Sequence, residues 1–286
     1  FDGISLSGLL TGRVKESPGR TLFAHHQELP LPEKYRFGCV IHDQWRLITR
    51  NDLKTGQQLQ HNNRRFLAAS TIKIPVLMYY AQHRLHTPFQ TPYRWQAADH
   101  VEDSPFFEQG QPGQAIAWDT LAEWMMILSD NAATNLILKA LGLSHIQRWL
   151  SAKAPHTTMA RLMMDSEARA AGRENWTTPQ DMLQIMQHLI NHSWLSPAES
   201  QWSMDILHRC EDPEKIPYLF RPPVIVANKP GELPGLRADV AYVHDPGHEI
   251  VLSIFCDGIA ESNEVACDLW QAQLAQSLWK ELTSCV

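Results

Sequence analysis

The 286-residue chain lacks most of the features that place a protein quickly. Its longest apolar run, Ile74-Pro75-Val76-Leu77-Met78-Tyr79-Tyr80-Ala81, falls well short of the ~20 residues that a membrane-spanning helix needs. Basic side chains are the minority, 25 against 31 acidic, for a formal charge of −6. That balance argues against the clustered Lys and Arg of a nucleic-acid groove or a polybasic membrane patch. The five cysteines (Cys39, Cys210, Cys256, Cys267, Cys285) are widely spaced and never form CxxC. Free thiols fit that spacing, and a zinc ribbon or dense disulfide scaffold does not. HExxH, a GxSxG elbow, a phosphate loop and GxGxxG are all missing, and His244 and His248 straddle a Pro-Gly turn, where helical metal geometry is out of reach. The chain begins at Phe1 without Met, which leaves room for an export signal removed ahead of this numbering.

What is present is an ordinary globular composition, 44% hydrophobic and 20% charged. A chain of this size hides roughly three quarters of its unfolded surface on folding, enough for a large core. Residues 1–35 are rich in Gly, Pro and His without a sustained period, and they read as an N-terminal arm with no fold assigned. Residues 36–286 read as one domain, with a sheet lobe from 36–68 and 208–286 and a helical lobe from 69–207.

Two β-rich stretches, Phe37–Ile41 and Trp45–Thr49, flank the turn residues His42-Asp43-Gln44 as a hairpin. Helical signals follow. Thr120-Leu121-Ala122-Glu123 has the form of a capping box, with Leu121, Trp124, Met125 and Leu128 on one face beyond it. A helix from about Ala132 to Leu141 stops at Gly142. Thr178-Pro179-Gln180-Asp181 opens another, carrying Met182, Ile185, Met186 and Leu189. Strand patterns return at Val224–Ala227, Asp239–Val243 and Ile250–Phe255, the last two joined through Asp245-Pro246-Gly247. A closing amphipathic helix carries Val265, Leu269, Trp270, Leu274 and Leu278. The expected fold class is α/β of the α+β type: an antiparallel sheet built from both chain ends beside an all-helical lobe, with a cleft between them. Trp118, Trp124 and Trp270 fall on apolar helix faces and read as core.

Three short motifs occur in order: Ser70-Thr71-Ile72-Lys73, Ser129-Asp130-Asn131 and Lys229-Pro230-Gly231. Each alone is weak. A Ser-x-x-Lys pair arises about once by chance in a chain this long, and Ser277-Leu278-Trp279-Lys280 is a second match that reads as decoration on a solvated helix face. Ser129-Asp130-Asn131 by itself reads as a turn between helices. Order and surroundings give the three their weight, because S-x-x-K, S-D-N and K-T-G mark class A β-lactamases and penicillin-binding proteins. Phe66–Leu77 resembles the nucleophile helix of that family, Leu121–Leu141 is similar to its second motif with flanking helices, and Thr177-Thr178-Pro179 resembles the exit from its omega loop. The resemblance covers about 250 residues, from near Phe37 to the C-terminus.

The resemblance implies a serine hydrolase with no metal and no organic cofactor, acting on a small-molecule or peptide amide or ester. Residues three apart on a helix share a face, so Lys73 can reach the Ser70 hydroxyl and act as its base. Burial and a neighbouring cation, Lys229, would both keep that lysine neutral. Ser129, with Lys229 in the same proton relay, is placed to pass a proton to the leaving group, and Asn131 to hold an amide of the substrate. The resemblance assigns the oxyanion donors to the backbone N–H groups of Ser70 and Glu232. Gly231 lets a substrate approach the strand edge.

Two departures stand out. Pro230 has neither the hydroxyl of the family's third motif nor an N–H; Arg237 is either a substitute carboxylate partner or a surface residue. The omega-loop glutamate and asparagine that hydrolyse the acyl-enzyme in class A β-lactamases fall near Leu162 and Ser166, neither of which can act as a base. Asp165 and Glu167 lie close by as substitutes, although a cap or a salt bridge is the commoner fate of such residues. The reading is therefore an intact acylation apparatus with slow or absent hydrolysis of a β-lactam acyl-enzyme. A penicillin-binding D,D-peptidase or esterase, and a non-catalytic relative that binds a peptidoglycan fragment or a partner, are the alternatives. A periplasmic or secreted home is the family's habit.

Overall fold

The computed structural model describes residues 22–26, 37–42, 45–49 and 64–284. Six antiparallel strands make its main sheet: β1 (Leu22–His26), β2 (Phe37–His42), β3 (Trp45–Thr49), β8 (Ile225–Leu233), β9 (Leu236–His244) and β10 (Glu249–Asp257). Their order across the sheet is β1-β2-β3-β10-β9-β8. The N-terminal and C-terminal ends of the chain meet where Leu47 of β3 pairs with Ile254 of β10. The hairpin read at residues 37–49 is present, with Cys39 opposite Ile48, while positions 43–44 of its turn lie outside the described residues. Residues 1–35 differ from the expectation of an arm without fold. The short apolar run Leu22-Phe23-Ala24 with His25-His26 forms β1, pairing with β2 so that Leu22 sits opposite Ile41. A strand of five residues on a sheet edge needs no period of its own, because its neighbour supplies the template.

Four short strands make two small ladders: β4 (Phe66–Leu67) with β7 (Trp176–Thr177), and β5 (Tyr93–Arg94) with β6 (Ala115–Ile116). The helices are α1 (Lys73–His83), α2 (Pro105–Gln109), α3 (Trp118–Ile127), α4 (Asn131–Leu141), α5 (Leu143–Lys153), α6 (Ser166–Ala170), α7 (Pro179–Ile190), α8 (Pro197–Leu207) and α9 (Glu264–Ser284). None among the described residues is long and apolar enough to cross a membrane.

Alternation along β10 divides the core in two. Val251 and Phe255 pack with the helical lobe, whereas Ile250, Leu252, Ile254 and Cys256 pack with α9. This is the period-two signature of a strand buried on both faces. Helix α7 begins as read, its Thr178 hydroxyl accepting the Asp181 N–H with Pro179 at the first helical position. Helix α4 ends at Gly142, whose φ of 82° few side-chain-bearing residues adopt.

Two helix readings need correction. Helix α3 starts two residues before the Thr120 capping box, and no side chain caps it. Tertiary contacts decide this start: Trp118 is buried with its indole N–H donating to the Thr91 carbonyl, and Asp119 accepts from Tyr80 and Arg84. On α9, Val265 and Leu269 point outward, at 81% and 43% exposure. Leu274 and Leu278 face the sheet as read and Trp270 packs against the same core, but the rest of the buried stripe is Cys267, Gln271 and Ala275. Ser277 and Lys280 are exposed, and they bond along their own helix to Gln273 and Gln276.

Candidate active site

A cavity of about 1200 Å³ opens between the edge strand β8 and the helical lobe. Ser70, Ser129, Asn131, Asp165, Lys229, Gly231, Glu232 and Arg237 all line it. Three stretches far apart in sequence thus converge on one space, as the motif order requires. Lys73 lies beneath the wall, fully buried. Glu167, on the exposed outer side of α6, is not among the lining residues.

Ser70 sits in a single 3₁₀ turn, Ala69–Ile72, that leads directly into α1. The turn is pinned at its entry, where the Ala68 N–H donates to the Asn175 carbonyl, and inside, where the Thr71 hydroxyl donates to the Ala68 carbonyl at 2.6 Å. Ala69 holds a left-handed φ of 45°. Five non-glycine residues have positive φ among the described residues, and four of them, Ala69, Asp103, Ser129 and Met164, line the cavity. Such backbone costs on the order of 1–3 kcal/mol per residue and persists only where surrounding structure imposes it.

Two kinds of buried lysine meet at this site. Lys73 Nζ donates to the Ser129 carbonyl at 2.6 Å and to Asn131 Oδ1 at 2.9 Å, and lies 3.1 Å from Ser129 Oγ. Every partner is neutral. Burial first, and then the charge of Lys229, pushes its pKa well below the ordinary lysine range, against the pull of Asp130 and Asp103. Lys229 is also buried, and burial lowers its pKa too; its ammonium donates to the Pro230 carbonyl at 3.1 Å. Lys215 behaves in the opposite way. It is just as buried, but it pairs with Glu232, with Asp268 at 3.8 Å and with Asp212 at 3.9 Å. Burial opposes its charge, and these carboxylates, Glu232 first, outweigh burial and raise its pKa.

The strand wall is fitted to the Ser70 turn by a glycine. A Cβ on Gly231 would lie 3.0 Å from the Ser70 nitrogen and 3.1 Å from both Ala69 Cβ and Thr71 Cγ2. Only a residue without a side chain lets β8 come this near the serine. Pro230 is tolerated because β8 is an edge strand, where a missing N–H breaks no ladder. Arg237 is not free to hold a substrate carboxylate. Its guanidinium is 2.5 Å from Glu264 and 3.5 Å from Asp268, and it also donates to the Leu233 and Leu236 carbonyls. Two carboxylates on the first turns of α9 reach it, a juxtaposition that only the fold creates.

The loop over residues 161–175 forms the floor. Asp165 caps α6, its carboxylate accepting the Ala168 N–H at 2.8 Å. Leu162 packs partly against the core, Ser166 lines the cavity as an exposed residue, and Met163 and Met164 line it between them. The remaining carboxylate on this stretch of the lining, Glu174, is bound by Arg161 at 2.7 Å and Arg169 at 3.5 Å.

Several site-shaping residues escape sequence reasoning. Asp130, inside the second motif, caps α4 through the Ala133 N–H and accepts the Phe106 N–H from the opposite wall. Asn135 exchanges two hydrogen bonds with the Met163 backbone, and Asn175 gathers Ala160, Arg161 and Ala68. A cap signal was available for Asp130, with an acid just before a helical run. Nothing local announces the partners of Asn135 or Asn175, or the Glu232 and Asp268 partners of Lys215. Among the described residues, no group of His, Cys, Asp and Glu is arranged to hold a metal; His244 faces His208, Nε2 to Nε2 at 3.3 Å.

Comparison with known proteins points the same way. The sequence pattern of the Beta-lactamase enzyme family matches residues 45–282. Beta-lactamase CARB-4 of Pseudomonas aeruginosa is 33% identical over 154 residues, which are 51% of this chain and 52% of that protein. The match thus spans about half the length of that curated relative. A β-lactamase from Sphaerobacter thermophilus superposes with a TM-score of 0.71 at 23% identity, covering 80% of this chain and 88% of that one. A point mutant of PBP-A, solved as an acyl-enzyme complex with penicillin G, gives 0.70 at 21% identity, covering 81% and 88%. These superpositions bear on the fold, which is that of class A β-lactamases.

Proposed function

The chain belongs to the beta-lactamase enzyme family, and from that premise we propose that it is a serine hydrolase forming an ester at Ser70 with an amide or ester substrate. One observation carries the reading: Lys73, one turn from Ser70, is buried among neutral partners with its pKa depressed. Burial among neutral partners disfavours the charged form, so this lysine is fitted to accept a proton. It takes the Ser70 proton as Oγ attacks the carbonyl carbon. The N–H groups of Ser70 and Glu232 stabilise the oxyanion. Ser129, bonded to Lys73, returns the proton to the leaving nitrogen, and Lys229 keeps Lys73 neutral until then. Asn131 and the edge of β8 hold the substrate.

Hydrolysis of the ester is the slow step in this reading, because the carboxylates that the 161–175 loop brings to the cavity already have partners: Asp165 caps α6 and Glu174 pairs with two arginines. Intact-mass spectrometry after addition of benzylpenicillin tests both halves. The expected result is a one-to-one adduct that outlives the mixing by minutes or longer and is missing in Ser70→Ala. Fast, sustained turnover of a chromogenic cephalosporin overturns the slow step. Absence of any adduct with β-lactams or fluorophosphonates overturns the enzyme reading in favour of a binding relative.

The same committed carboxylates favour a second reading, a D,D-peptidase or esterase that deacylates by another route. The similarity to PBP-A, trapped as a penicillin G acyl-enzyme, supports it. Release of D-alanine from a peptide ending in D-Ala-D-Ala separates the two. A secreted or periplasmic location is proposed on the family's habit alone.

A further inference from the structure

Behind the Arg237 wall of the cavity lies a pair of cysteines that the proposed chemistry does not use. Cys256 is on β10, in register with Arg237 of β9, and Cys267 is on the sheet-facing stripe of α9. Both are buried, at 2% and 3% exposure, and neither is in a disulfide. A single amide joins them: Gln271 Nε2 lies 3.7 Å from each sulfur and also donates to the Arg237 carbonyl at 3.3 Å. The other end of that amide, Oε1, has no partner among the described residues. A buried glutamine placed so that its donor end serves two sulfurs is an unusual use of a costly polar group.

We propose that Cys256 and Cys267 are a redox pair, converted to an intramolecular disulfide by a thiol-disulfide oxidant. The chemistry balances with a small disulfide such as oxidised glutathione. The Cys267 thiolate attacks one glutathione sulfur, breaking the S–S bond and expelling a glutathione thiolate. The Cys256 sulfur then attacks the mixed disulfide at the Cys267 sulfur and expels the second glutathione. Two protons and two electrons leave the protein, and one disulfide is reduced to two thiols. The environment separates the partners into these roles: the hydrogen bond with Cys256 holds Cys267 below its ordinary thiol range, while burial pushes Cys256 up. Both sulfurs are buried, so the exchange proceeds through local opening of the first turns of α9.

The link would close residues 257–266 into a loop. That segment carries Glu261 and Glu264, both on the cavity lining, and Glu264 is one of the two carboxylates that hold Arg237. The proposal is independent of the serine chemistry, so its test needs no substrate. The purified full chain is equilibrated with oxidised glutathione, free thiols are alkylated under denaturing conditions, and the protein is mapped by mass spectrometry without reduction. The expected product is a peptide joining position 256 to 267, two mass units below the sum of its reduced halves and restored by dithiothreitol. Cys256→Ser and Cys267→Ser each abolish it. Absence of that peptide from the wild-type chain, or a link from either residue to Cys210, Cys39 or Cys285 in its place, overturns the proposal.

Discussion

Two buried lysines, Lys73 beneath the helical lobe and Lys229 on the edge strand β8, contrast with two braced cations, Lys215 and Arg237. All four are largely shielded from water. Lys73 and Lys229 have no ion pair among the described residues, and burial drives their pKa values down. Lys215 and Arg237 are knitted through Glu232, Asp268 and Glu264 into one alternating chain of charge. Pairing fixes a proton on a lysine; burial among neutral dipoles frees it. One fold has therefore made a reactive site and a brace from the same side-chain chemistry, by deciding where carboxylates are supplied.

The largest expected effect breaks the reactive half. Lys73→Ala should slow acylation by benzylpenicillin by about 10²–10⁴-fold, the range for loss of a positioned base, as read by stopped-flow or quenched mass spectrometry. A residual rate within tenfold of wild type would move the base elsewhere. Next comes the contact between the two sides. Gly231→Ala forces a methyl to 3.0 Å from the Ser70 nitrogen, and a displacement on the order of 1 Å at a reacting centre costs about 10²-fold. The same acylation assay checks this, with circular dichroism to confirm folding.

A smaller effect tests the electrostatics directly. The charge of Lys229 lowers the Lys73 pKa, so Lys229→Met should raise it and move the acid limb of the acylation pH profile to higher pH. On that acid limb, where the base is mostly protonated, the rate at a fixed pH falls about tenfold per unit of displacement. An unmoved limb would remove Lys229 from the electrostatics of the base. The smallest kinetic effect belongs to the brace. Lys215→Met leaves Glu232 and Asp268 without their cation and should cost about 2 kcal/mol of stability, less than a fully buried pair because Glu232 is partly exposed. Urea unfolding measures the loss, and the acid limb of the pH profile should stay where it is.

Much of the reactive half was legible in the sequence because it is local. Ser70 and Lys73 lie within one turn, Ser129 and Asn131 are two residues apart at the start of α4, and that helix stops at Gly142 as read. Gly231 was read for its lack of a side chain, although the reason is the backbone of Ser70 rather than a substrate alone. The brace was not legible. The partners of Arg237 are on α9 and those of Lys215 on β8 and α9, and no periodicity announces which charges a fold will bring together. The same limit explains α3, whose start is set by Trp118 and Asp119 finding partners in other elements, and α9, where apolar Val265 and Leu269 fell on the wrong face.

The left-handed residues around the cavity carry a consequence for anyone who tries to toughen this protein. Replacing Ala69, Asp103, Ser129 or Met164 with glycine would relieve conformational tension and, where the unfolded chain does not gain too much freedom, raise the melting temperature. Those gains lie where the molecule does its work. A screen for heat tolerance alone would drift toward relaxed linings and sluggish enzymes, so any such selection has to weigh catalytic rate in the same round.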